Sequence, residues 1–115
     1  MTENDGAAGA ADILERLAAV IAARREADPD SSYVASLLAA DETRVLKKIG
    51  EESVELVVAL RDGESTAMVH ETADLWFHTL VALARHGLGP ADVLAELERR
   101  FGRSGHEEKA SREKR

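Results

Sequence analysis

The stretch KKIGEESVEL, Lys47 to Leu56, followed by HETADLWFH, His70 to His78, decides how this chain folds. Its acidic residues form the pattern E-x-x-E at Glu52 and Glu55, fifteen intervening residues, then E-x-x-D at Glu71 and Asp74, with Glu51 beside the first pair. Residues three or four apart are neighbours on a helix surface, so each pair shares one face of its own helix. A short turn at Arg61-Asp62-Gly63-Glu64-Ser65 allows the two helices to fold back as a hairpin and bring four or five carboxylates together. Like charges at that density either face open water or gather cations, and an oxygen-only donor set suits a hard ion such as magnesium.

The periodicity around these acids separates the two options. From Glu42 to Arg61, Val45, Ile49, Leu56 and Leu60 centre an apolar stripe, with Lys48, Glu51, Glu52 and Glu55 in a polar sector along its border. Alone, that sector reads equally as a solvated face relieved by Lys47 and Lys48 at helical spacing. The second helix, expected over Thr66 to His86 with Ser65 or Thr66 as its cap, is apolar around most of its circumference. Its one narrow polar sector holds Glu71, Asp74, His78 and Arg85. Such a helix is central, and unpartnered ionised carboxylates on it are too costly to bury, so bound cations resolve the conflict better than a metal-free polar groove. His78 has two readings, a ligand or general base and a hydrogen-bonded structural residue, of which the second is the commoner. His70 is expected to point away from the acidic sector. Trp76 and Phe77 are expected in the core or in a dimer contact. Gly50, a costly residue inside a helix, calls for close packing or a ligand near the backbone.

Outward from this centre the chain is helical throughout. Met1 to Gly9 reads as a mobile lead-in, and a first helix is expected over Asp12 to Glu26, with Asp12 and Glu15 at capping-box spacing. Asp28-Pro29 ends it, and Tyr33 to Ala40 forms a short helix capped by Ser31 or Ser32. His86-Gly87-Leu88 has the form of a Schellman ending. Pro90 opens a last helix whose apolar face is Val93, Leu94, Leu97 and Phe101, stopped by Gly102. The domain is expected over residues 10–102, and Arg103 to Arg115 forms a charged tail.

Composition narrows the function. The 115 residues carry 22 acidic against 15 basic groups, a formal charge of -7, which opposes nucleic-acid and anionic-membrane binding and makes cations the intermediaries for any polyanionic substrate. Cysteine is absent, which removes disulfides, thiolate nucleophiles and cysteine-bound zinc. No apolar run approaches the roughly 20 residues of a membrane span and no secretory signal is visible, so a cytoplasmic location is expected. No P-loop, dinucleotide fingerprint or zincin motif occurs, and neither acidic pair supplies the Glu-x-x-His of a di-iron bundle. What the carboxylates fit is phosphoryl chemistry, with cations neutralising a polyphosphate and activating water.

Four stretches, ADPDSSYVASLL (Ala27 to Leu38), LKKIGEESVEL (Leu46 to Leu56), HETADLWFHTLVAL (His70 to Leu83) and LERRFGRSGHEEKASR (Leu97 to Arg112), carry a closer likeness. Together they resemble the phosphoribosyl-ATP pyrophosphatase family of histidine biosynthesis, within the all-α NTP pyrophosphatase group. The acidic signature alone points to the wider group, and its combination with SSYVASLL, KKIGEE and GHEEKASR points to this family.

The resemblance implies an all-α bundle of about four to five helices assembled as a homodimer. It implies hydrolysis of phosphoribosyl-ATP to phosphoribosyl-AMP and pyrophosphate, with Mg2+ as cofactor. By the same resemblance Glu52, Glu55, Glu71 and Asp74 are the magnesium ligands and Glu51 a further active-site acid. Lys47 and Lys48 contact substrate phosphates, and Arg103, Lys109 and Arg112 belong to a tail that orders over the substrate. Ser53 stands where alanine is common in the family. The chain has neither the length nor the cysteine of the cyclohydrolase to which many relatives are fused, so a monofunctional form is expected. Two other readings stand beside this one: a hydrolase of ordinary or damaged nucleoside triphosphates, and a helical interaction protein whose acidic cleft binds metal without turnover.

Overall fold

A computed structural model describes residues 5–101, and those residues are helical with no strand among them. Helix α1 spans Asp5–Ala23 and ends in a 3-10 turn, Arg24–Glu26; α2 is Tyr33–Ala39, α3 Glu42–Asp62, α4 Ser65–Arg85 and α5 Pro90–Arg99. Helix α1 therefore starts at Asp5, seven residues before the expected Asp12. The alanine-rich run Gly6 to Ala11 has strong helix propensity, and its glycines do not break it. Asp12 consequently lies inside the helix and pairs with Arg16 at 3.7 Å instead of capping. Residues 1–4 and 102–115, including Arg103, Lys109 and Arg112, lie outside the described residues.

Side chains fix the other helix ends. Ser32 accepts from the Ala35 amide at 3.2 Å to start α2, and Asp41 accepts from the Thr43 amide at 2.8 Å to start α3. The Thr43 amide, with the Thr43 hydroxyl, holds the Asp41 carboxyl below its ordinary range. Helix α4 is capped by Glu64, whose two oxygens accept from Thr66 and Ala67. The expected caps, Ser65 and Thr66, lie one and two residues too late, since the longer Glu64 side chain reaches the same free amides from outside. The Schellman ending forms as expected: Gly87 takes φ +74, its amide donates to Ala84 O at 3.1 Å, and the Leu88 amide donates to Leu83 O at 3.0 Å. At α5, Pro90 follows Gly89, whose amide donates to Asp92 Oδ2 at 2.9 Å.

Packing centres on α4. The buried core joins Ile21 of α1, Leu37 of α2, Val45 of α3 and Leu80 with Val81 of α4. The Arg85 guanidinium donates to the carbonyls of Leu37 and Leu38 at 2.8 and 3.0 Å, satisfying the end of α2. The most extensive helix–helix contact is the α3/α4 hairpin, closed by Gly63 and Glu64, with Gly63 at φ +75.

One apolar position differs from expectation, and further apolar surface is open to solvent. Leu60, expected in the buried stripe of α3, is exposed, and the stripe continues instead through Ala59. Trp76 is 58% exposed on α4, near Val69, while Val54 and Val57 are exposed on α3. The expected apolar face of α5 is also open to solvent, with Phe101 76% exposed. Within one chain, α5 packs chiefly along α1, which leaves that face uncovered.

Gly50 is exposed, and an added Cβ there meets no atom within 4 Å, so close packing does not explain it. Gly50→Ala is expected to raise stability by about 1 kcal/mol, because alanine is the better helix former. Gly87→Ala is expected to lower it by about 1 kcal/mol, because an L side chain is strained in the left-handed region. Urea midpoints measured side by side check the opposite signs.

Candidate metal centre

The hairpin geometry brings the two acidic pairs into register. Glu55 and Glu71 each stand eight residues from Gly63 in sequence, and Glu52 and Asp74 each stand eleven. At 1.5 Å per residue in antiparallel helices, equal distances from the turn mean equal heights. One donor oxygen each from Glu52, Glu55 and Glu71 lies within 4.8 Å of the others. A second group, His70, Glu71 and Asp74, meets the same limit, so Glu71 belongs to both.

Glu52 occupies the centre of the buried stripe of α3 and is only 7% exposed. Its Oε2 and that of Glu71 are buried without a hydrogen-bond partner. Burial, followed by close carboxyl contact with Glu55 and the charges of Glu55, Asp74 and Glu71, pushes the Glu52 carboxyl up to about 7. Glu71 is raised for the same reasons, burial first and Glu55 next, with His70 opposing. Orphaned buried oxygens among raised carboxyls are what an oxygen-ligated cation would satisfy. The donor set fits a hard divalent ion.

The other expected site residues are placed as follows. Glu51 is exposed and belongs to neither group. Lys47 is exposed and Lys48 half-buried, and among the described residues neither makes an ion pair, so they do not relieve the acids as the helical spacing allowed. His78 is buried with both ring nitrogens engaged, Nδ1 with Asp74 O at 2.8 Å and Nε2 with the Tyr33 hydroxyl at 2.8 Å. A carbonyl only accepts, so Nδ1 carries a hydrogen, and in the neutral ring Nε2 accepts from Tyr33. The structural reading of His78 holds: it ties α2 to the backbone turn that presents Asp74.

His70 departs from expectation. It turns toward the acids, with Nε2 3.2 Å from Asp74 Oδ2. The signal was present in the sequence, because His70 and Asp74 are four residues apart and so share a helix face. Tyr33 had no such signal, being 45 residues from His78.

Comparison with known proteins supplies the family. The profile of the family described as Phosphoribosyl-ATP pyrophosphohydrolase matches residues 14–101. The chain is similar to the phosphoribosyl-ATP pyrophosphatase of Methylococcus capsulatus, 58% identical over 101 residues, covering 88% of this chain and 96% of the relative. It is 54% identical over 100 residues to that of Nitrosomonas eutropha, covering 87% and 86%. It is also 58% identical over 101 residues to that of Methylibium petroleiphilum, covering 88% and 84%.

The Glu52 shift has a sign that can be measured. A carboxyl raised from 4.5 to about 7 holds its proton more tightly in the folded chain. Its contribution to stability is therefore full below 4.5 and lost as pH rises through about 7. The Tm of chelator-treated protein is expected to fall between about pH 5 and about pH 8, and Glu52→Gln to flatten that fall. Thermal melts followed by circular dichroism check both.

Proposed function

The chain belongs to the phosphoribosyl-ATP pyrophosphohydrolase family, and on that premise we propose that it works as a Mg2+-dependent homodimer in the cytoplasm, with its metal site between α3 and α4. The reaction is hydrolysis of phosphoribosyl-ATP to phosphoribosyl-AMP and pyrophosphate, a step of histidine biosynthesis. Water bonds to a phosphorus of the α–β bridge, the bond from that phosphorus to the bridging oxygen breaks, and phosphoribosyl-AMP and pyrophosphate separate.

The observation that carries the metal assignment is the pair of buried, unpartnered oxygens on Glu52 and Glu71 among facing carboxylates. Glu52, Glu55, Glu71 and Asp74 would hold the cation. When bound, Mg2+ supplies Lewis acidity that neutralises phosphate charge and makes water easier to deprotonate. The protein's own share is positional. Glu52 and Glu55 present their oxygens from α3, Glu71 and Asp74 from α4, and the Tyr33–His78 link holds the Asp74 turn. A carboxylate not saturated by the cation accepts the proton of water, with Glu51 a further acid on the same helix. Lys47 and Lys48 are free to meet substrate phosphates as point charges, and Arg103, Lys109 and Arg112 add cationic groups from the tail.

Assembly as a dimer is supported by the uncovered apolar surface of the hairpin. Val54, Val57 and Leu60 on α3 and Val69 and Trp76 on α4 are exposed. A depression of about 320 Å³ lined by Met68, Val69, Thr72, Ala73 and Trp76 adjoins them. Apolar surface of this extent in a small chain fits a partner subunit.

Pyrophosphate release from phosphoribosyl-ATP, ATP and dUTP tests the substrate. Turnover confined to phosphoribosyl-ATP is expected; preference for a free triphosphate, or no turnover of any, replaces the reading. Glu55→Gln and Asp74→Asn are expected to lower kcat by at least about 100-fold with the helical spectrum intact. Near-parental kcat in both would end the metal assignment. Sedimentation should give twice the 12.4 kDa chain mass, and Val57→Glu should shift it toward the monomer.

A further inference from the structure

Helix α2 is tied to α4 at both of its ends. At its start the Tyr33 hydroxyl meets His78 Nε2 at 2.8 Å, and at its finish Arg85 donates to the carbonyls of Leu37 and Leu38. His78 and Arg85 are seven residues apart, about two turns along one face, so α2 lies along α4 as a brace. A helix of 7 residues is too short to hold itself, and these ties, with Leu37 in the core, set its place.

The first tie is the one that reaches the acids. His78 Nδ1 donates to Asp74 O at 2.8 Å, so hydroxyl, imidazole and carbonyl form one chain from α2 to the peptide that carries Asp74. Within the continuous helix that carbonyl already accepts the His78 amide, so the ring bond satisfies nothing that the helix leaves open. His78 is only 5% exposed, in a place where an aliphatic or phenyl side chain would bring no ring nitrogens to satisfy. Packing alone therefore does not call for it. Phe77 and Tyr33 stand edge-on to the imidazole at 5.1 and 5.9 Å between centroids, and stack on each other at 6.3 Å. Apolar contacts have no direction, whereas hydrogen bonds weaken steeply off line. A ring held by two bonds and two aromatic neighbours fixes both the height and the rotation of the α4 turn that carries Asp74.

We propose that Tyr33 and His78 are positioning residues for the hydrolysis: their link sets Glu71 and Asp74 in register with Glu52 and Glu55, so its loss lowers turnover more than it lowers substrate binding. The inference rests on the carboxylate reading given above and adds a control of alignment from α2, a helix that contributes no acid to the site. Both residues act through the Asp74 backbone. A shift of about 1 Å in an orienting group costs on the order of 100-fold in rate, and the loss of one hydroxyl moves the turn by less.

The test uses the full chain with Tyr33→Phe, His78→Asn and the double variant, beside Gly87→Ala, which destabilises α4 at its far end. His78→Asn keeps a donor for the Asp74 carbonyl and is too short to reach Tyr33. Each single variant of the link is expected to lower kcat by about tenfold with KM changed by less than about threefold. Each is also expected to weaken Mg2+ binding, measured by calorimetry without substrate, by about threefold or more. Because the two residues act in series, the double variant is expected to match His78→Asn within about twofold. Gly87→Ala is expected to lower Tm and keep kcat within about twofold. Tyr33→Phe with a lowered Tm but parental kcat and Mg2+ affinity shows a merely structural link and overturns the proposal, and so do losses that multiply in the double variant. If His78→Asn does not fold, Tyr33→Phe decides alone. Large losses in Glu55→Gln and Asp74→Asn beside a parental Tyr33→Phe end this inference only, whereas parental kcat in those two ends the carboxylate reading and this inference with it.

Discussion

Everything in this fold is constrained by the placement of carboxylates on the mutually facing sides of α3 and α4. Glu52 sits between Val45 and Ala59 on the most buried line of α3, where an aliphatic side chain would pack without penalty. In its place is a carboxyl raised to about 7, with one oxygen unsatisfied. A chain that only had to fold would gain by replacing it, because an unpaired buried acid costs more than a buried methyl group contributes. The site therefore takes stability from the fold, which a bound cation would return by linkage.

The surrounding structure is arranged to tolerate that cost. The hairpin turn keeps the two acidic pairs at matching heights, and the core of Ile21, Leu37, Val45, Leu80 and Val81 holds α4 against three other helices. Polar links across the bundle carry as much positional information as the apolar ones. Arg85 finishes α2, Arg25 donates to Ala84 O at 2.6 Å, and His78 joins Tyr33 to the Asp74 carbonyl. Arg85 completes carbonyls at the end of α2, and the Tyr33 hydroxyl gives the buried His78 ring its partner at Nε2. The arrangement leaves α4 anchored along one side and apolar but open along the other, at Val69 and Trp76.

Much of this was legible in the residues. The helical periods of α2, α3 and α4, the Gly87 ending and the Pro90 start are local effects, set by side chains within a turn or two of the atoms they satisfy. The E-x-x-E and E-x-x-D pairs were legible as neighbours on their own helices for the same reason. Their equal distances from Gly63 follow from counting once that turn is placed. The alanine-rich start of α1 was missed because two glycines and the acidic residues before them outweighed propensity in the reading. Glu64 was missed as a cap because the shorter Ser65 and Thr66 are the more usual ones. Leu60 lies outside the buried stripe because periodicity identifies an apolar side without saying what covers it.

The sequence by itself determined the all-helical class, the hairpin, the identity of the clustered acids and, by likeness, the family. These depend on local geometry and on residue types that few other chemistries combine. Only the tertiary structure decided that Glu52 is the buried member of the set, that His70 lies against Asp74, and that His78 is committed to Tyr33. Burial and long-range partners are properties of packing between helices, and no spacing along the chain measures how much water two packed surfaces exclude.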